Sequence, residues 1–161
     1  MKKIISLVLS GVGGLVIGVL VTGIIVWNVM PGMMIIEDQT NYSFDQTIEI
    51  LNQSVKDNNW KIPAVHDLQK TMNKYGKNVK PVQVFELCHP DHAGKILAAD
   101  NERIVSSLMP CRVAVYEKND GKTYVSRMNS GLMAGMMGGL IAKVMKQAAS
   151  ENEEILEPVL N

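Results

Sequence analysis

The pattern of hydrophobic and polar positions separates an apolar N-terminal run from a mixed remainder. No charged side chain occurs between Ile4 and Met30, and most positions in this run are Val, Ile, Leu or Gly. As a helix with a rise of about 1.5 Å per residue, the run would be about 40 Å long, whereas a bilayer core is about 30 Å thick. The pattern therefore predicts a short N-terminus, residues 1–3, and a transmembrane anchor over residues 4–30.

A cleaved signal peptide is the alternative interpretation of this run. The apolar region of a signal peptide is about 7–15 residues long and ends at a small-x-small site. Here the run continues through Trp27 without an Ala-x-Ala motif, which favours an uncleaved anchor. Lys2 and Lys3 precede the run, whereas the first charges after it are acidic. The positive-inside rule then predicts a single-pass protein of the inner membrane, with a cytoplasmic N-terminus and a periplasmic or extracellular C-terminal part.

Small residues recur at four-residue spacing inside the predicted anchor and would lie on one helix face: Ser10, Gly14, Gly18 and Thr22. Such a face lets two membrane helices approach closely. The alternative is that glycine is simply common in membrane spans. The regular spacing favours pairing of two anchors.

After the anchor, the hydrophobic periods predict an α+β domain over residues 31–150. Pro31 and Gly32 predict the end of the first helix. Strands are predicted over residues 33–36, 60–65, 82–87, 112–117 and 123–128, with helices over 44–58, 66–74, 90–97 and 131–149. This order (β-α-β-β-α-β-β-α, with a short additional helix over 66–74) indicates a small antiparallel sheet with helices on one face. A charged C-terminal tail is predicted over residues 151–161.

The charge distribution and the missing motifs exclude several classes of function. Without Lys2 and Lys3, the chain has 14 basic residues against 16 acidic ones, and no basic run or stripe. Nucleic acid is therefore not expected as a partner, because phosphate binding needs concentrated Lys and Arg. The sequence also contains no nucleophile elbow of the Ser/His/Asp hydrolases and no phosphate-binding loop. These absences disfavour a conventional hydrolase or nucleotide enzyme.

The densest group of chemically able side chains consists of Cys88, His89 and His92. Cys88 precedes a predicted helix start at Pro90, where the helix dipole favours a thiolate. A thiolate there could be a nucleophile, or it could bind a metal or a haem together with the histidines. The alternative is a buried structural thiol beside two surface histidines. The spacing matches neither a zinc finger nor the motif of covalent haem attachment.

Cys111 and a methionine-rich segment supply further candidate ligands. Cys111 is predicted to face inward on a strand, so it could form a disulfide with Cys88, or both could remain thiols held by a ligand. Met133 and Met137 lie in the predicted last helix, and thioethers suit haem iron or Cu(I). A methionine-rich helix can equally be part of a core or an interface. A haem or soft-metal site would combine Met133 and Met137 with Cys88 and His92.

Three ordered motifs resemble the bacterial family called domain of unknown function 302: Val84-Phe-Glu-Leu-Cys-His-Pro-Asp-His-Ala, Met109-Pro-Cys-Arg-Val-Ala-Val-Tyr-Glu and Gly121-Lys-Thr-Tyr-Val-Ser-Arg-Met-Asn. The resemblance covers residues 35–149. It implies a small α+β domain that pairs as a homodimer, and it places Cys88, Pro90 and the Pro110–Cys111 pair at recurrent family positions. His89 stands where many relatives carry Asn. No agreed activity accompanies the resemblance.

The sequence therefore supports three hypotheses about function. The leading one is a membrane-anchored, extracytoplasmic homodimer that binds haem or a soft metal and is not an enzyme. The second is a thiol redox or sulfur-carrier protein that uses Cys88 and Cys111. The third is a purely structural dimerisation domain.

Overall fold

The computed structural model describes residues 2–161, with side chains for residue 11 and residues 13–161. The chain divides into two compact units, Met1–Met33 and Met34–Asn161. The first unit is one helix, α1, Lys2–Met33. Its segment Gly13–Met33 is long and apolar enough to cross a membrane.

The helix end predicted at Pro31 and Gly32 is wrong: both residues lie inside α1, which ends at Met33. A proline removes one intrahelical hydrogen bond and crowds the preceding turn. At position 31 the lost bond is the one to the carbonyl of Trp27, and only two further residues of α1 follow the proline. Pro31 is therefore tolerated in the last turn, and the break comes after Met33.

The second unit is built on a five-stranded antiparallel sheet with strand order β1-β5-β4-β3-β2. The strands are β1 Ile35–Gln39, β2 Val65–Asp67, β3 Val82–Leu87, β4 Cys111–Glu117 and β5 Thr123–Met128. Strands β4 and β5 form the predicted hairpin around Gly121, which has a positive φ of 77°. The predicted α+β class with an antiparallel sheet is confirmed.

Five helices complete this unit: α2 Phe44–Asp57, α3 Leu68–Lys74, α4 Pro90–Leu97, α5 Ser130–Met136 and α6 Gly139–Leu160. A 3₁₀ helix, Glu102–Leu108, connects α4 towards β4. Helix α2 begins with a capping box in which Ser43 and Gln46 bond each other's backbone N–H groups. That box satisfies amide groups that a helix start leaves unpaired.

The main core lies between one face of the sheet and helices α2 and α6. Alternate strand residues such as Phe85, Val113 and Val125 point into it and are almost fully buried. Leu51 of α2 and Ile155 of α6 are completely buried against them. A smaller cluster forms around Ile96, Val105 and Val144 on α4, the 3₁₀ helix and α6.

The predictions for the C-terminal part need two corrections. The predicted helix over residues 131–149 is two helices, with Met137 and Gly138 between α5 and α6. The predicted charged tail over residues 151–161 is wrong, since α6 continues to Leu160. Ile155 and Val159 recur one turn apart and are fully buried. Burial of this apolar stripe stabilises a helix whose opposite face carries the charges.

The second predicted strand was also misplaced. Only Val65 of the predicted range 60–65 lies in β2, and His66 lies in that strand instead of starting a helix. Lys61 forms an isolated bridge to Cys88, and Pro63 lies between that bridge and β2. Proline has no N–H group for a ladder hydrogen bond, so the segment does not form one continuous strand.

Candidate metal centre

Helices α4 and α6 bring together two histidines and one carboxylate. His89 caps the start of α4, and His92 follows within its first turn. Their ring centroids are 4.4 Å apart. Glu151, on α6, completes a group whose potential ligand atoms all lie within 4.8 Å of one another. The structure therefore unites His89 and His92 with a residue outside the predicted ligand set.

The Glu151 carboxylate is the centre of the hydrogen bonds in this group. Its Oε2 atom lies 2.8 Å from Nε2 of His92 and accepts a hydrogen bond of 3.1 Å from Nε1 of Trp60. Its Oε1 atom accepts a hydrogen bond of 3.0 Å from Nε2 of Gln147. Burial works to raise the pKa of Glu151, but these hydrogen bonds outweigh it, and the pKa lies below the ordinary value of 4.5. The group therefore holds a carboxylate anion in a fixed orientation.

Trp60 packs against both imidazoles. The indole ring meets His89 and His92 edge-on, at centroid distances of 5.7 Å and 6.2 Å. Only 8% of the His92 side chain is exposed. Within residues 2–161, the Nδ1 atoms of both histidines are buried and have no hydrogen-bond partner. A buried polar atom without a partner costs about 1–3 kcal/mol. In His92 this atom is not the ring nitrogen that faces Glu151, which is Nε2.

The donor set suits a transition-metal ion of intermediate softness. Two imidazole nitrogens and one carboxylate oxygen are ligands of Zn²⁺, Cu²⁺ or Fe²⁺, whereas Ca²⁺ and Mg²⁺ prefer oxygen ligands throughout. Trp60 and Gln147 bond the carboxylate and fix its orientation, as outer partners do in metal sites. Three protein ligands would leave a coordination position for water or another molecule.

Cys88 lies beside this group in sequence but is not one of its members. Its backbone is tied to Lys61 by two hydrogen bonds of 2.9 Å. Burial raises the pKa of the Cys88 thiol above its ordinary value of 9.0, which is opposite to the direction expected from a helix start. The physical reason is that His89, not Cys88, occupies the capping position of α4, while burial disfavours the thiolate.

Cys111 begins β4 and pairs in register with Leu87, next to Cys88. Burial raises the pKa of Cys111, and the neighbouring Cys88 raises it further. Both cysteines are free thiols. The two predicted thiol residues are thus neighbours, and the protonated form of each is favoured.

The two candidate methionine ligands lie in or directly after α5, whereas the histidine group is carried by α4 and α6. Met137 packs against the small cluster around Ile96, Val105 and Val144. Met133 is half-buried in α5. Sequence reasoning missed Glu151 and Trp60, because both were assigned to other elements and no local motif links them to His92.

Comparison with known proteins identifies the fold and the family. The model of the family described as domain of unknown function DUF302 matches residues 36–161. The crystal structure of an uncharacterized conserved DUF302 protein from Bacillus stearothermophilus superposes with a TM-score of 0.69 at 20% sequence identity, covering 78% of this chain and 98% of that one. No curated protein matches the chain. The chain therefore belongs to the DUF302 family.

Proposed function

We propose that this protein is a membrane-tethered metal-binding module that holds a divalent transition-metal ion between His89, His92 and Glu151. The observation that carries the proposal is the convergence of one ligand atom each from His89, His92 and Glu151 within 4.8 Å of one another. An ion at this position would replace the contact between Nε2 of His92 and Oε2 of Glu151 and would neutralise the carboxylate. The role is binding, and no reaction is assigned to it.

The surroundings of the group support a metal ion better than a haem. Trp60 covers both imidazoles, and the centroids of the two rings are only 4.4 Å apart. A haem needs an axial ligand that faces a wide, flat pocket. Of the softer donors that favoured haem or Cu(I), Cys88 lies outside the group, and Met137 packs against the small apolar cluster instead. The ligand expected at this site is therefore Zn²⁺ or another ion that histidine and carboxylate bind.

Metal titration of the full chain in lipid nanodiscs tests the proposal. Addition of Co²⁺ should give a visible absorption band that saturates at one ion per chain, because coordination geometry determines the cobalt spectrum. Zn²⁺ should then displace the cobalt and remove this band. The variants His89→Asn and His92→Asn should each weaken zinc binding by about 100-fold or more, given that loss of even an outer partner costs about 10–100-fold.

The third histidine supplies the matched control. His66 is half exposed and lies 3.1 Å from Glu86 on the sheet, so His66→Asn should leave zinc affinity unchanged. Absence of a cobalt spectrum, or equal zinc affinities for the wild type, His92→Asn and His66→Asn, would sink the proposal.

We also propose that α1 anchors the protein in the plasma membrane with its N-terminus in the cytoplasm, so that the metal centre lies outside. The support is the uncharged segment Gly13–Met33 with Lys2 and Lys3 before it. A reporter that is active only in the cytoplasm should be active when fused before Lys2 and inactive when fused after Asn161. The reverse result would contradict this orientation.

Pairing into a homodimer is proposed on two features. Gly14 and Gly18 of α1 have open space around them, which a second helix could fill. In the other unit, Ile35 and Met128 are neighbours across β1 and β5, and their side chains are 63% and 41% exposed. Light scattering in detergent should give the mass of two chains, and the double variant Gly14→Leu, Gly18→Leu should lower it. A single-chain mass for the wild type would refute pairing.

A further inference from the structure

The Met34–Asn161 unit contains a cavity of about 330 Å³ that is separate from the histidine group. Its wall includes the small apolar cluster of Ile96, Val105 and Val144, together with Met109 and Met145. None of the three proposed metal ligands lines it. Small-molecule sites are mostly apolar hollows of about 300–1,000 Å³ with a few polar groups that orient the ligand. The cavity is at the lower end of that range.

Asn152 supplies the polar group that points to a ligand. It lines the cavity, is only 4% exposed, and its Oδ1 atom has no hydrogen-bond partner within residues 2–161. Buried polar groups in folded proteins nearly always have a partner. The amide oxygen of a residue that lines an apolar hollow is therefore available to accept a hydrogen bond from a molecule inside the hollow.

The charges at the cavity wall are already compensated. Arg127 is bonded to Asp38 and to Glu153, the Asp38 contact being 2.6 Å long. Arg112 lies 3.4 Å from Glu86. Because a charged ligand would need an unpaired opposite charge at the wall, the cavity favours a neutral molecule.

We propose that this cavity binds a small neutral molecule with an apolar body and one hydroxyl or amide N–H group, which donates a hydrogen bond to Oδ1 of Asn152. An apolar cavity of about 150 Å³ accommodates benzene, so the volume here corresponds to about ten to twelve non-hydrogen atoms. The methionine side chains of the wall are unbranched and adaptable, which suits a ring or a short branched chain.

The experiment compares 1-naphthol with naphthalene, which has the same apolar body but no hydroxyl group. Both are titrated into the full chain in nanodiscs, with empty nanodiscs as the background. One site per chain is expected for 1-naphthol, with an affinity about tenfold above that of naphthalene, since a satisfied buried acceptor contributes on that order. Equal affinities of the two probes, or no binding above background, would overturn the proposal.

Two variants locate the site. Asn152→Leu removes the acceptor at similar volume and should abolish the preference for 1-naphthol, while naphthalene binds as well as before or better. Ala148→Phe should fill the cavity and block both probes. Thermal unfolding and zinc titration of each variant report whether it is folded. Because neither residue is a proposed metal ligand, unchanged zinc binding with altered naphthol binding separates this inference from the proposed function. A preference for 1-naphthol that survives Asn152→Leu would refute it.

Discussion

The protein contains two histidine–glutamate pairs, and their difference shows what makes one of them a candidate site. In the first pair, His92 and Glu151 are 2.8 Å apart, and the histidine side chain is 8% exposed. In the second, His66 and Glu86 are 3.1 Å apart, and the histidine side chain is 49% exposed. The pairs are nearly equal in geometry. They differ in the burial of the histidine and in the groups around it, whereas the glutamate side chain is 27% exposed in the first pair and 16% in the second.

The groups around His92 and Glu151 (the buried pair) could complete a metal site, whereas those around His66 and Glu86 (the exposed pair) could not. His92 has a second histidine beside it, an indole ring over it and an Nδ1 atom without a partner. In the second pair, Glu86 also contacts Arg112, whose side chain is exposed, and such surface contacts contribute little to stability. A short distance between a histidine and a carboxylate is therefore poor evidence of a site, whereas a buried histidine with a second histidine beside it is better evidence.

Deletion of residues 151–161 should have the largest effect on stability among the changes that separate the two pairs. It removes Glu151 and the buried side chains of Ile155, Leu156 and Val159, but leaves the exposed pair in the chain. Loss of each large buried aliphatic side chain costs about 2–5 kcal/mol, so the unit should not fold. Circular dichroism and proteolysis would check this. A cooperative thermal transition in the truncated chain would contradict the assigned core.

Single substitutions of the two glutamates give the next largest difference. Glu151→Ala leaves the Trp60 and His92 donors without their acceptor in a buried place, and we expect a loss of about 2 kcal/mol of unfolding free energy. Glu86→Ala leaves His66 and Arg112 without their acceptor, but water can solvate both, so its loss should be clearly smaller. Urea unfolding in nanodiscs measures both. Equal losses would mean that burial does not distinguish the pairs.

The pH dependence of stability sharpens the same contrast. The pKa of Glu151 is lower in the folded protein than its ordinary value of 4.5. A carboxyl group with a lowered pKa contributes stability above the unfolded value, and this contribution is lost as the pH falls through the folded value. Below pH 4.5, the free energy of unfolding of the wild type should therefore fall more steeply than that of Glu151→Gln. Between about pH 6 and pH 8, the two curves should run parallel. Parallel curves throughout would exclude a lowered pKa.

The smallest effect is expected for the Cys88 thiol, and it concerns the rate of alkylation. Burial raises the pKa of Cys88 above 9.0, so alkylation by iodoacetamide should be slow at pH 7 and should increase up to and beyond pH 9, because the thiolate is the reactive form. Cys111→Ser isolates the Cys88 signal in mass spectrometry. Rapid labelling of Cys88 at pH 7 would instead support the thiol redox or sulfur-carrier hypothesis.

Local patterns predicted most of the elements but only part of the site. The apolar run, the capping box at Ser43 and the hairpin at Gly121 depend on residues that are close in sequence, and each is present. His89 and His92 were recognised because they share one helix start. Glu151 could not be recognised, because it lies 59 residues beyond His92 and only the packing of α4 beside α6 brings it close.

The amino-acid sequence by itself determined the apolar N-terminal helix, the α+β class, the family and two of the three proposed ligands. Short-range periodicity and ordered motifs are enough for these features. Only the tertiary structure decided that the charged C-terminal segment is a core helix, that both thiols favour their protonated forms, and that Glu151 and Asn152 face a histidine group and a cavity. These properties depend on burial, and burial is set by residues far apart in the chain.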